Sequence, residues 1–285
     1  MISKYTLSQR INPPKTGLLP NNWINVLVSI KIVCMGKQRK LRVGVAGARW
    51  LGVNCLSFLK EISGIEISQV CFPSKNEIAW WKDVIDEDEV GKMGFEITTW
   101  SSWQDLEFDL VFSILHGRIF KKIHLENSRF GVINLHPAPL PEYRGCNSYA
   151  HAIMNGDRQY RVSMHYVDEG IDDGPLIGQS TLQIEIDDTG YSLYQKSQIS
   201  AFALFKRYAP KIIEAAKAGS KFPAKAQNES RANYYKRDSI KNKEANLSWD
   251  GNKLYNFIRA LDFPPFKPAY IVLNGQKIYL TLTQR

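Results

Sequence analysis

A chain of 285 residues, 44% hydrophobic and 23% charged, is long enough to bury a sizeable core without covalent staples. Its four cysteines, Cys34, Cys55, Cys71 and Cys146, form neither a CxxC pair nor a zinc-ligand spacing, which excludes a disulfide scaffold and fits reduced cytoplasmic thiols. The net charge of +9 is uneven: residues 1–42 hold eight bases and no acid, residues 43–220 hold 17 bases against 23 acids, and residues 221–285 hold 12 against five. A basic C-terminal segment suits a phosphate-bearing substrate or nucleic acid, and it equally suits a solvated face.

Residues 1–40 differ from the rest. Pro13, Pro14, Gly17 and Pro20 break any regular element, and the apolar run Trp23–Met35 is short and interrupted by Lys31. That run is too short to span a membrane and lacks a small-residue cleavage site. Two readings stand: an organelle transit peptide, or an extension ahead of a true start at Met35. No function is assigned to it.

From Leu41 the pattern is α/β. Residues 41–48 (LRVGVAGA) form a continuous apolar strand, as expected when both sheet faces are covered. Helical spacing follows over 50–62, then strand 65–72 and a Trp- and charge-rich helix over 77–92. Strands are expected at 95–100 (FEITTW), 108–115 and 131–136, with a short helix at 118–126. Strands alternating with helices at this interval predict a doubly wound, mostly parallel sheet. Further on come a helix at 148–155, strands at 161–168 and 174–184, and a long amphipathic helix over 189–219. A polar linker, 220–230, precedes a tail (231–285) with a helix near 253–261 and a hairpin turning at Asn274-Gly275-Gln276. The expected organisation is an extension (1–40), a main domain (41–219) and a small C-terminal subdomain (231–285).

Two segments could carry chemistry, besides a weak glycine pattern. Residues 44–52 (GVAGARWLG) sit between a strand and a helix, but the spacing is not that of a dinucleotide fingerprint and no acid ends the second strand. Tight packing is the simpler reading. The first strong segment is 133–145 (INLHPAPLPEYRG). Asn134 and His136 lie two apart at the end of an apolar strand, so both side chains share one face. In doubly wound sheets ligands bind outside the carboxyl ends of the strands. A strand-end His can also be merely hydrogen-bonded. The second segment is 167–179 (VDEGIDDGPLIGQ), where Asp172 and Asp173 precede a Gly-Pro. Such a carboxylate can orient an imidazole and favour its charged form, or belong to a solvated acidic turn.

Together, N-x-H-P, L-P-x-Y-R-G and a D-x-G beginning 36 residues after His136 resemble the folate-dependent formyltransferases over about residues 41–215. The resemblance implies a formyltransferase-type Rossmann-like core and the co-substrate 10-formyltetrahydrofolate. It implies Asn134, His136 and Asp172 as catalytic residues and needs no metal. Asp173 stands where the family pattern usually has Thr, and Asp172 is assigned by register. A pterin slot is implied between 116–120 and 166–172, lined by Arg118, Ile119, Phe120, Val167, Asp168 and Ile171.

The tail and residues 141–156 are most similar to the nucleotide-sugar N-formyltransferases. The resemblance therefore implies a dTDP- or UDP-linked amino sugar as acceptor, of the kind used for surface polysaccharide such as O-antigen. Tyr143, Arg144, Asn147, Tyr235 and Lys236 are the implied substrate contacts. A homodimer formed through the hairpin and a cytoplasmic location are also implied. Only 55 residues follow the linker, too few for the C-terminal barrel of the tRNA-formylating branch. Methionyl-tRNA formyltransferase and formyltetrahydrofolate hydrolase are the alternative activities.

Overall fold

The computed structural model describes residues 39–74 and 86–282. The expected extension before Arg39 and the first part of the helix expected over 77–92 lie outside the described residues. The chain runs β1 (Leu41–Gly47), α1 (Arg49–Lys60), β2 (Ile65–Cys71), α2 (Glu87–Lys92), α3 (Trp100–Trp103), β3 (Leu110–Ile114), α4 (Lys122–Glu126), β4 (Val132–His136), β5 (Arg144–Gly145) and α5 (Ser148–Met154). It continues through β6 (Gln159–Tyr166), β7 (Leu176–Gln183), α6 (Gly190–Lys217), β8 (Tyr234–Tyr235), α7 (Gly251–Leu261), β9 (Ala269–Leu273) and β10 (Gln276–Leu280).

The main sheet has six strands in the order β2-β1-β3-β4-β6-β7. The pairings from β2 through β4 are parallel, while β6 and β7 join antiparallel. The architecture is α/β with a mixed sheet, as its apolar central strands require. Val43, Val45, Leu110, Phe112 and Ile133 are fully buried because helices cover both sheet faces. On one side, the inner stripe of α6 (Leu193, Ala201, Leu204, Ile212 and Ile213) is buried. Phe205 meets Phe112 edge-on at 5.1 Å between ring centroids. The start of α6 is fixed by a capping box, with Thr189 Oγ1 accepting from Ser192 N at 3.1 Å and Ser192 Oγ accepting from Thr189 N at 3.0 Å.

The segment 95–100, expected as a strand, is not one. Ile97 makes a single bridge with Val70. Thr99 then caps α3 by accepting from Ser102 N, which turns Trp100 into a helix. Local capping overrides the β-propensity of the Thr-Thr-Trp run. The glycine pattern at 44–52 is packing. A Cβ on Gly44 would lie 2.8 Å from the Phe108 ring, and one on Gly47 would lie 2.7 Å from that of Phe72. Among the described residues no helix is long and apolar enough to cross a membrane. The C-terminal helix α7 packs on α5 and α6, and the β9–β10 hairpin follows it.

Candidate active site

The strand β4 ends at the carboxyl edge of the parallel part of the sheet, and Asn134 and His136 project from it on one face. Its antiparallel neighbour β6 sets His165 directly opposite Asn134. The loop after β6 then returns Asp172 to the same point. Asp172 Oδ1 lies 3.6 Å from His165 Nε2, and Oδ2 lies 3.8 Å from His136 Nε2. Asn134 Nδ2 lies 3.1 Å from His165 Nε2 and donates to Asp172 Oδ1 at 3.4 Å. The amide, imidazole and carboxylate predicted from the sequence therefore converge, with a second imidazole beneath them.

Hydrogen bonds to carbonyls orient both rings. His165 Nδ1 donates to Tyr166 O at 2.7 Å. Its Nε2 is then the acceptor for Asn134 whenever the ring is neutral. His136 Nε2 donates to Tyr143 O at 3.1 Å, and its Nδ1 has no hydrogen-bond partner among the described residues. His165 is buried, whereas the side chains of His136 and Asp172 keep 13% and 14% of their surface exposed, enough to meet a ligand.

Burial by itself would raise the Asp172 carboxyl. It is outweighed by His136, by the hydrogen bond and charge of His165, and by the Gly145 N–H, which donates to Oδ2 at 2.9 Å. The net effect holds Asp172 well below the usual carboxylate range. Gly145 can supply that N–H only as glycine. Its φ is +91°, and a Cβ there would lie 2.3 Å from Tyr235 O. Asp172 itself adopts φ 55°.

Around the expected pterin slot, Ile119 and Ile171 are exposed apolar side chains, 62% and 40% accessible, on the two expected loops. Arg118 and Asp168 are exposed, and Asp168 Oδ1 accepts from Glu169 N within its own loop. Val167 is half-buried. Phe120 differs from expectation. It is buried against Trp100, with ring centroids 5.0 Å apart, so its side chain packs inward instead of facing outward with Ile119. Phe120 and Val167 belong to one apolar cluster, which ties the two loops together.

The expected acceptor contacts need two corrections. The Tyr143 side chain is buried, and its hydroxyl donates to Asp157 Oδ2 at 2.5 Å and accepts from Asn155, so it packs in the core. Arg144 is also buried. Its guanidinium is held by Glu229, at 2.6 Å and 3.0 Å, and by Gln227. Asn147 is half-buried and donates to Arg237 O at 3.0 Å. Tyr235 is stacked between Tyr143 and His151, at 5.4 Å and 4.1 Å, so its faces are largely occupied. The more exposed Tyr234 joins His151, Lys236, Ser239, Lys241 and Phe257 around an open cleft of about 590 Å³. This cleft is linked to the carboxylate through one strand pairing, because β8 pairs with β5, whose Gly145 holds Asp172.

Sequence reasoning missed His165 and Gln227. Neither lies in a motif, and only the β4–β6 register and the path of the linker bring them in.

Residues 91–207 match the family described as formyl transferase, and residues 250–283 match the N-formyltransferase dimerization C-terminal domain. These two matches, in this order, make the chain similar to the formyltransferase family. It is 31% identical over 172 residues to GDP-perosamine N-formyltransferase of Brucella melitensis, covering 60% of this chain and 64% of that protein. It is 32% identical over 182 residues to methionyl-tRNA formyltransferase of Bacillus subtilis, covering 63% of this chain and 55% of that protein. The chain thus spans less than two thirds of the length of these curated relatives. The crystal structure of an N-formyltransferase from Helicobacter canadensis in complex with folinic acid and dTDP-3-aminofucose superposes with a TM-score of 0.69. It is 25% identical, with 84% of this chain and 86% of that one covered.

Proposed function

We propose that this chain transfers the formyl group of 10-formyltetrahydrofolate to the primary amine of a nucleotide-linked amino sugar. The observation that carries the reading is the meeting of Asn134, His136 and Asp172 at the mouth of β4, beside two loops that present apolar side chains outward. The acceptor is supported by the C-terminal match, which belongs to N-formyltransferases. A relative that acts on GDP-perosamine and a neighbour crystallised with dTDP-3-aminofucose point the same way. Lys236 and Lys241 at the cleft suit a pyrophosphate, and exposed Tyr234 suits a base or sugar face.

The chemistry follows from the donors. The neutral amine attacks the formyl carbon, and negative charge develops on the formyl oxygen. Asn134 and His136 are the donors for that oxygen. Of Asn134's two bonds to side chains, the longer one to Asp172 is the one a formyl oxygen would replace. Donors fixed before reaction cost no reorganisation when the charge appears. Asp172, with Oδ2 at 3.8 Å from Nε2, keeps His136 in place. The C–N bond to the folate then breaks, and the proton lost by the amine ends on the departing nitrogen, passing by way of Asp172 and water.

The exposed apolar hairpin, with Val272, Leu273, Ile278 and Tyr279 each more than 40% accessible, supports a homodimer built through residues 250–283. Free Cys55 and Cys146 and a reduced-folate donor fit a cytoplasmic enzyme, and a nucleotide-linked product fits polysaccharide assembly.

The test is amine-dependent release of tetrahydrofolate with dTDP-, UDP- and GDP-linked amino sugars, with the product read by mass spectrometry. A formamido sugar from one nucleotide series supports the reading. Formate release without any amine would instead show a hydrolase, and formylated methionyl-tRNA would show the other branch.

A further inference from the structure

We propose that Gln227, in the linker after α6, is the positioning residue for Asp172. The inference rests on the formyl-transfer reading for its kinetic consequence, but its structural content stands apart from it.

The linker is anchored by reciprocal backbone bonds between Lys225 and Leu176, at 2.7 Å and 2.8 Å. Two residues on, the Gln227 side chain enters the interior and is 8% exposed. Its Nε2 donates to Asp172 O and to Gly174 O, both at 2.8 Å. Its Oε1 accepts from Arg144 Nε at 3.2 Å and from Nη2 at 3.0 Å. Both N–H groups and both lone pairs of the amide are therefore used, and the guanidinium on one side fixes which end is oxygen. Glu229 braces the far side of Arg144.

The two carbonyls that Gln227 holds flank Asp173, so it clamps the turn in which Asp172 takes its left-handed φ of 55°. A non-glycine residue keeps that conformation only where its surroundings impose it. Arg144 and Gly145 then act as adjacent fingers. Gly145 N–H grips the carboxylate directly, and Arg144 grips the backbone through Gln227. Nothing else in the linker reaches Asp172 by a hydrogen bond among the described residues.

Glutamate at 227 would set carboxylate oxygens against two carbonyls while keeping the volume, and alanine would leave three groups unpaired. Either change frees the turn, and the carboxylate leaves its place between the two imidazoles.

The experiment combines kinetics with imidazole NMR on the full chain. Gln227→Ala and Gln227→Glu are each made alone and in an Asp172→Asn background. The kcat for formyl transfer should fall on the order of 10- to 100-fold, with KM for both substrates changed less than about 2-fold. In the Asp172→Asn background Gln227→Ala should cause almost no further fall, because it acts through Asp172. The ring signals of His136 and His165 should move as they do in Asp172→Asn, while those of His116 and His124 stay put. A full additional loss in the double variant, or unmoved His136 and His165 signals in a folded Gln227→Glu protein, would overturn the proposal. If the parent protein formylates no amine, the functional reading fails, and the NMR arm still decides the role of Gln227.

Discussion

Asp172 is placed where three groups favour its charge and one effect opposes it. Since its folded carboxyl titrates below the ordinary value near about 4, it contributes stability that is present above that value. This contribution is lost as pH falls toward the folded value. The stability difference between the natural chain and Asp172→Asn, followed by urea unfolding, should therefore shrink as pH drops from about 6 to 3. A difference that grows over that interval would contradict the charge arrangement. Gly145→Ala is a second residue-scale test. The added Cβ meets the Tyr235 carbonyl, so the β5–β8 pairing must open and the N–H to Asp172 is lost. Turnover should fall at least about tenfold, the loss expected from about 1.4 kcal/mol of misplaced catalytic contact.

At the scale of elements, what could be read in advance was what depends on local periodicity. The apolar run of β4 and the i, i+2 placing of Asn134 and His136 needed only the strand period. The stripe of α6 needed only the helical one. His165 could not be read in this way. It faces Asn134 because two antiparallel strands take one register out of several, and that choice is made by packing 31 residues away in the chain. Arg144 and Tyr143 looked like ligand contacts because they are polar residues beyond the strand that carries Asn134 and His136. Partners distant in sequence, Gln227 and Glu229, and nearby Asp157 claimed them instead. Segment 95–100 failed as a strand because Thr99 prefers to cap. The joint between α6 and the sheet is testable. Phe205→Ala should lower stability by about 3–5 kcal/mol, read as a shift in urea midpoint, through the cavity left beside Phe112 and Phe58.

For the whole molecule, the division of labour runs along the chain. In the proposed function the mixed sheet presents the donors and the linker steadies the carboxylate, while the C-terminal part offers a cleft with Lys236 and Lys241 and an apolar hairpin. Ile278→Asp in the hairpin should convert a dimer to a monomer in sedimentation, leaving the fold of the sheet intact. The functional account as a whole turns on His136, the one imidazole that is both partly exposed and paired with Asp172. Its most direct test is the turnover of His136→Ala with saturating 10-formyltetrahydrofolate and the accepted amino sugar. A folded variant whose kcat is reduced by about 100-fold or more is the predicted result; a folded variant turning over at close to the parent rate would contradict it.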